Sequence, residues 1–401
     1  MRKEKDSLGE LEIPDGVYYG IQAFRASQNF PISGTQVHPE LLKTYLLLKR
    51  SAAKANFDVG ALDQQRADAI VQAVDALLKT DFRKHFIVDA YQAGAGTSQN
   101  MNANEVIANC ANEALGKPLG AYDPVNPNDH VNMSQSTNDT YPTVMRLAAL
   151  SLSGGLVTEL EALRATLSGK AAEFDHVLKA ARTHLQDAVP IRLGQEFAAY
   201  AETVGQLIQL PMTVYSNALR AIALELTRIT NDLRLLSSGP SNGLSEIFLP
   251  ATQPGSSIMP GKVNPSILEM ANQVFFRVLG NDTTVAYSAQ AGQLELNVMM
   301  PVMAHAALEA TELLTSTLRT LRTRCLDGIL ANEARCLQYA ERTSQIATAL
   351  NRILGYAKAG EIAKESVETG KSIVELVREK GLLTEEQIPK LLDPRALTEP
   401  A

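Results

Sequence analysis

Four polar segments carry side chains that core packing does not require. The first, Gly94-Ala95-Gly96-Thr97-Ser98-Gln99-Asn100, leads into a helix expected near Asn104. The second is Ser134-Gln135-Ser136-Thr137-Asn138-Asp139, and the third Arg182-Thr183-His184-Leu185-Gln186-Asp187. The fourth is Gly255-Ser256-Ser257-Ile258-Met259-Pro260-Gly261-Lys262-Val263-Asn264-Pro265. The first two have a plainer reading, because Ser, Thr, Asn and Asp cap helix starts by accepting from free N–H groups. A lone histidine such as His184 is more often a satisfied core or surface residue than a catalyst. The fourth segment resists that reading: hydroxyls and a lysine sit between Gly and Pro punctuation typical of a mobile loop. It is not a phosphate-binding P-loop, since five residues separate Gly255 from Gly261 and Val263 follows the lysine where Ser or Thr is needed. Gly94-Ala95-Gly96 likewise lacks the third glycine and the acidic partner of a dinucleotide fingerprint. Neutral donors (Thr97, Ser136, Thr137, Asn138, Thr183, Asn264) with the cation Lys262 suit a small carboxylate. No HExxH, CxxC or acidic metal cluster appears, so a metal-free proton transfer is the expected chemistry.

The elements that must position these segments are helices. Leu156, Leu160, Leu163, Leu167, Ala171, Phe174 and Leu178 recur at spacings of three and four, as do Leu219, Ile222, Leu226, Ile229, Leu233 and Leu236. Leu314, Leu318, Leu321 and Cys325 repeat the pattern. Such stripes put one face of each helix against neighbours, as in a bundle with shallow crossing angles. Strand signals are confined to short runs such as His85-Phe86-Ile87-Val88 and Val189-Pro190-Ile191. The fold class is therefore mainly α. It divides into a loop-rich N-terminal domain (1–138), a central domain of long helices (139–356) and a small helical C-terminal domain (357–401). In the last, short helices are expected over 362–366, 372–379 and 384–391. Pro211 interrupts the pattern between Gly205 and Tyr215. A proline inside a helix costs about 3 kcal/mol, so this point is a boundary, and a hairpin there is permitted.

Composition bounds the rest. The chain has 401 residues, 45% hydrophobic and 20% charged, with a net charge of −7. This suits a soluble multi-domain protein and argues against nucleic acid or an anionic membrane surface as partner. The longest uncharged run, Thr203 to Leu219, is broken by Gly205 and Pro211, whereas a membrane span needs roughly 20 apolar residues. The N-terminal Met1-Arg2-Lys3-Glu4-Lys5-Asp6 lacks a signal-peptide core. Cys110, Cys325 and Cys336 are too few and scattered for a disulfide framework or a zinc site. A cytoplasmic location is the expectation.

Together the blocks resemble the aspartase/fumarase superfamily. GSSIMPGKVNP (255–265) is similar to its signature loop, and VNMSQSTND (131–139) and RTHLQDAVP (182–190) to its other two characteristic blocks. The similarity runs from EKDSLGELEIP near the start to GKSIVELVREKGLLTEEQ (370–387). YYGIQAFRASQNFPISG, NQVFFRVLGNDTTV and GQLELNVM resemble the aspartase branch more than the fumarase branch. The resemblance implies a reversible anti-elimination of ammonia from L-aspartate to give fumarate, with no organic cofactor. It implies Ser256 as general base, with His184 and Lys262 also catalytic. Thr97, Ser136, Thr137, Lys262 and Asn264 would bind the carboxylates, with Ser257 beside them in the loop. Asn138, Thr183 and His184 would hold the amine end. Glu269 matches the family's partner for the histidine, and Arg25 an N-terminal arginine associated with substrate. It also implies a homotetramer with a shared helical bundle, in which each site draws the three blocks from three subunits. Fumarate hydratase, another lyase of the superfamily, or a catalytically impaired structural protein of the same fold are the alternatives.

The chain departs from the pattern at the Gly205–Tyr215 boundary. Family members carry several tens of further residues there, including a GTAxGTG-like stretch and parts of two core helices. Either the protein is a shortened variant or the chain omits a stretch. Ser241-Asn242 stands where the family usually has Arg-Ala, Met300 where an acidic residue is usual, and Arg352 where proline is usual.

Overall fold

A computed structural model describes residues 1–6, 8–183, 186–208, 215–253, 258, 262–292 and 296–398, without the side chains of residues 208, 352 and 396. The chain opens with an antiparallel hairpin of β1 (Arg2–Asp6) and β2 (Gly9–Ile13). Helices α1 (Ile21–Asn29), α2 (Pro39–Asp58), α3 (Gln64–Leu77) and α4 (Thr97–Ala114) follow. Then come the long α5 (Thr137–Glu173) and the antiparallel hairpin of β3 (Leu178–Thr183) and β4 (Gln186–Arg192). Next are α6 (Leu193–Ile208), α7 (Tyr215–Leu236), the short β5 (Ile247–Phe248), α8 (Ser266–Gln290) and α9 (Met300–Arg324). The short β6 (Leu330–Ala331) pairs with β5. The chain ends in α10 (Glu333–Arg342), α11 (Asn351–Leu354), α12 (Tyr356–Thr369), α13 (Ile373–Glu379) and α14 (Ile388–Leu391).

By its own contacts the chain forms two compact units. One comprises Met1–Leu156, Thr213–Arg220 and Arg277–Leu314, and the other Val157–Met212, Ala221–Phe276 and Thr315–Ala401. In the first unit, α4 is the central helix: nearly every residue from Ser98 to Asn112 is buried. Many of these are asparagines, poor helix formers that here serve the surrounding loops. Asn102 donates to the His85 carbonyl and accepts from Ile87 N–H, and Asn112 pairs in the same two-way fashion with Val125. Asn109 donates to the Tyr18 carbonyl and accepts from Gly120 N–H. Each amide side chain thus replaces the backbone partner that a loop lacks, which lets long irregular segments lie against a helix without orphaned groups.

In the second unit the predicted stripes are buried, including Leu160, Leu163, Leu167, Ile222, Leu226, Ile229, Leu233, Leu318 and Leu321. The stripe ending at Leu178 is shorter than its spacing suggests, because α5 stops at Glu173 and Leu178 opens β3. Val189 to Ile191 does form part of a strand, whereas His85 closes a 3-10 turn and Phe86 to Val88 pairs in no sheet. A separate apolar cluster runs from Ile346 to Leu392, around α12, α13 and α14. Gly370 ends α12 with φ 71°, and Ser372 opens α13 in a capping box with Glu375. The junction expected near Pro211 and its hairpin lie outside the described residues. Among the described residues no helix is long and apolar enough to cross a membrane.

Candidate active site

Two of the four blocks meet in the first unit. Ala95 and Gly96 both adopt left-handed backbone, with φ 62° and 76°, immediately before Thr97 starts α4. Ala95 pays conformational strain there, a cost that structure usually holds only at turns and functional sites. Its N–H is fixed by the Val298 carbonyl at 2.9 Å. Gly96 is required twice over: its φ favours glycine, and a Cβ would lie 1.9 Å from the ring of Tyr141. Tyr141 sits one turn into α5, so this contact brings the N-terminus of α4, with Thr97, beside the helix that begins at Thr137. Gly96 has no side chain to cap α4, and Gln92 Oε1 accepts the Gln99 N–H of the first turn at 2.8 Å, which leaves the positive dipole end of the helix beside Thr97.

The start of α5 is capped by its own sequence, as the plainer reading of the second block expects. Ser136 Oγ accepts the Asn138 N–H at 3.2 Å, and the Asp139 carboxylate accepts the Ser136 N–H at 3.0 Å. A hydroxyl that accepts still has its O–H to donate, so capping leaves Ser136 able to bind a carboxylate. Pro142 has no N–H for the Asn138 carbonyl, so the first turn is also open at that point. Ser136, Thr137 and Asn138 are thus presented together on one helix start. The preceding strap is anchored by Lys49 on α2, which is fully buried and donates to Asn132 Oδ1 at 2.8 Å and Gln135 Oε1 at 2.9 Å. Burial lowers its pKa to about 7. Asn100 and Asn104 of α4 donate to the same Asn132 oxygen, tying the first block to the second.

Arg25 and Thr97 line one open cavity of about 580 Å³, together with Lys5, Asn126 and Asn128. Arg25 is already forked onto Asp6, Nε to Oδ2 at 2.7 Å and Nη2 to Oδ1 at 3.0 Å, and it also reaches the Gly9 carbonyl. It therefore holds the first hairpin to α1 as well as facing the cavity. Glu105 of α4, buried in the same wall, accepts the amides of Gly20, Gln22 and Ala23 at the start of α1. Burial raises its pKa to about 7 despite those three donors.

The remaining candidates belong to the second unit. Thr183 ends β3, exposed and paired with Gln186 across the hairpin. Asn264 and Glu269 are half-buried and flank the start of α8, where Ser266 Oγ donates to the Asn264 carbonyl. Lys262 is exposed. His184, Ser256 and Ser257 lie outside the described residues. Sequence reasoning missed Lys49, Glu105 and Tyr141, which support the candidates rather than resemble them. The signal for α4 was its run of asparagines, too dense for a surface helix. Among the described residues no group of three His, Cys, Asp or Glu side chains is placed to hold a metal ion.

A mainly helical protein with two polar helix starts brought together, each partly capped by neighbouring side chains, is the class these observations define. The family model described as lyase matches residues 9–210 and 211–280, and that of the fumarase C C-terminus matches residues 346–399. The aspartate ammonia-lyase of a Bacillus species is 44% identical over 458 residues, covering 100% of this chain and 98% of that protein. A class II fumarate hydratase of Halobacterium salinarum is 42% identical over 457 residues, covering 99% of this chain and 97% of its own. The crystal structure of a fumarate lyase:delta crystallin from Brucella melitensis superposes with a TM-score of 0.93 at 44% identity, covering 98% of this chain and all of that one. The chain belongs to the lyase family of the aspartase/fumarase superfamily. The two lyase matches abut at Leu210 and Pro211, and the alignments are longer than the 401-residue chain. Both facts accord with relatives carrying additional residues at the boundary that Pro211 marks.

Proposed function

We propose that the protein is an ammonia-lyase that interconverts L-aspartate with fumarate and ammonia. The observation that carries this reading is the match along the whole chain to proteins named aspartate ammonia-lyase, with all the polar blocks present. Ser256, as its alkoxide, takes a proton from the Cβ of L-aspartate. The electron pair left on Cβ is held in the adjacent carboxylate as an aci-carboxylate, whose second charge needs preorganised donors. Thr97, Ser136, Thr137, Ser257, Lys262 and Asn264 supply those donors and bind both carboxylates. The pair then forms the double bond as the Cα–N bond breaks, and the nitrogen leaves as ammonia. Asn138, Thr183 and His184 hold the amine end, with Glu269 partnering His184 and Arg25 steering the anion. A serine alkoxide is reached only where donors surround it and water is excluded.

The same reading includes a homotetramer in the cytoplasm, with the chain divided at 1–138, 139–356 and 357–401. The exposed Leu147 and Leu150 of α5, Leu224 of α7 and Phe276 and Tyr287 of α8 support self-association, which would cover apolar side chains on three of the long helices. The apolar cluster from Ile346 to Leu392 supports a small C-terminal helical unit, although it begins with Ile346, Ala347 and Leu350, ahead of the division at 357. The test is the ultraviolet absorbance of fumarate formed from L-aspartate, with L-malate run beside it. Fumarate from aspartate is the expected result. Fumarate from malate alone would make the protein a fumarate hydratase, the second reading that the Halobacterium relative favours. Replacing Ser256 by Ala should lower turnover about 10²- to 10⁴-fold with the fold intact; an undiminished Ser256→Ala enzyme would remove the assigned base.

A further inference from the structure

The segment SGPSNGLSE, which departs from the family pattern, ends in the fully buried Glu246. Its backbone is fixed on both sides. Glu246 N–H donates to the Leu236 carbonyl at the end of α7, and its carbonyl accepts from Asn332 N–H at the start of α10, both at 2.9 Å. Ser245, just before it, is held at φ 51°, and its carbonyl accepts from Asn332 Nδ2 at 2.8 Å. A non-glycine residue keeps such a conformation only where its surroundings over-determine it.

The side chain of Glu246 faces β3. Its Oε1 accepts from Arg182 Nη1 at 2.7 Å, and its Oε2 lies 3.0 Å from Lys179 Nζ. Side chains three apart on a regular strand point to opposite faces. Here the ladder shifts register between Ala180 and Arg182, which adds local twist, and both cations reach one carboxylate. Lys179 is also buried and donates to Glu196 Oε1 at 2.8 Å, while the Arg182 guanidinium lies 5.1 Å from the centre of the Tyr339 ring. Charges this deeply buried are stable only while every partner is in place. The residue that follows Arg182 is Thr183, and the next is His184.

We propose that Glu246 is a positioning residue, which fixes the twist of β3 through Lys179 and Arg182 and so presents Thr183, at the end of that strand, to the substrate amine. This rests on the reading that the third block belongs to the active site. The full-length chain and its Glu246→Gln variant test it by two readouts, amide hydrogen exchange and steady-state kinetics with L-aspartate. Exchange over residues 178–192 should speed up while that over residues 373–379 stays unchanged. A displaced amine-end group should lower kcat about 10- to 100-fold, and KM should change little because the carboxylates are bound elsewhere. Thr230→Val, which breaks the buried hydrogen bond from Thr230 to Asn272 in the same unit, controls for general loss of stability and should leave kcat near wild type. Arg182→Gln, which keeps the Glu246–Lys179 ion pair, replaces Glu246→Gln if that chain does not fold, and Arg182→Lys should restore part of the lost kcat. Unchanged exchange in the hairpin, or unchanged kcat with faster exchange, overturns the proposal. If the wild-type chain makes no fumarate, the functional reading fails instead, and the exchange data alone decide whether Glu246 holds the hairpin.

Discussion

Buried polar side chains in this protein serve mainly to hold backbone, and His85 shows what that implies for pH. Its Nδ1 accepts the Tyr18 N–H at 3.2 Å, so the bonded ring must be unprotonated there. Burial, reinforced by the Lys84 charge, lowers its pKa from 6.5 to about 4. Between those values the unfolded chain binds the proton and the folded chain does not, so this contribution to stability is lost as pH falls from 6.5 through 4. His85→Asn offers an amide oxygen near the place of Nδ1 and does not titrate. Thermal denaturation at about pH 7 and about pH 5 should show a smaller decline for the variant than for the wild type. An equal decline would show that His85 is not the group responsible. Neither the bond nor the direction of the shift was legible in the sequence, where His85 stood in a run that suggested a strand.

Helix starts decide where the candidate donors sit. The approach of α4 to α5 depends on Gly96, so Gly96→Ala carries a left-handed penalty of about 1–2 kcal/mol together with a clash against Tyr141. Its melting temperature should fall well below that of an Ala substitution at an exposed helix glycine such as Gly169, and turnover should fall with it because Thr97 moves. The C-terminal helices offer a simpler case. Ser372 Oγ accepts the Glu375 N–H at 3.2 Å, and Ser372→Ala should cost about 1 kcal/mol in chemical denaturation. The start of that helix at residue 372 was expected from the sequence, since helix starts follow local patterns of residue type and spacing. The contact of Gly96 with Tyr141 was not, because the two residues lie far apart in sequence.

For the whole molecule, the question is whether one chain makes a site. In the proposed tetramer each site takes its blocks from different subunits. Two inactive variants, Asn138→Ala and Ser256→Ala, should then regain about a quarter of wild-type activity when co-refolded in equal amounts, because some sites receive both intact blocks. Sites confined to single chains would stay inactive in the mixture. The same preparation, examined by light scattering, shows whether a bundle lacking residues at Leu210-Pro211 still assembles.

The sequence by itself determined the helical class, the buried stripes and the identity of the polar blocks, because periodicity and motif chemistry are short-range properties. Leu226, Leu233 and Leu318 are buried as their spacing requires. Only the tertiary structure decided that α4 is a buried asparagine-lined helix, that Arg25 is forked onto Asp6, and that Lys179 and Arg182 converge on Glu246. Each of these joins residues distant in the chain. Whether a polar side chain is solvated, capped or paired depends on which backbone folds against it, and spacing along one segment carries no record of that.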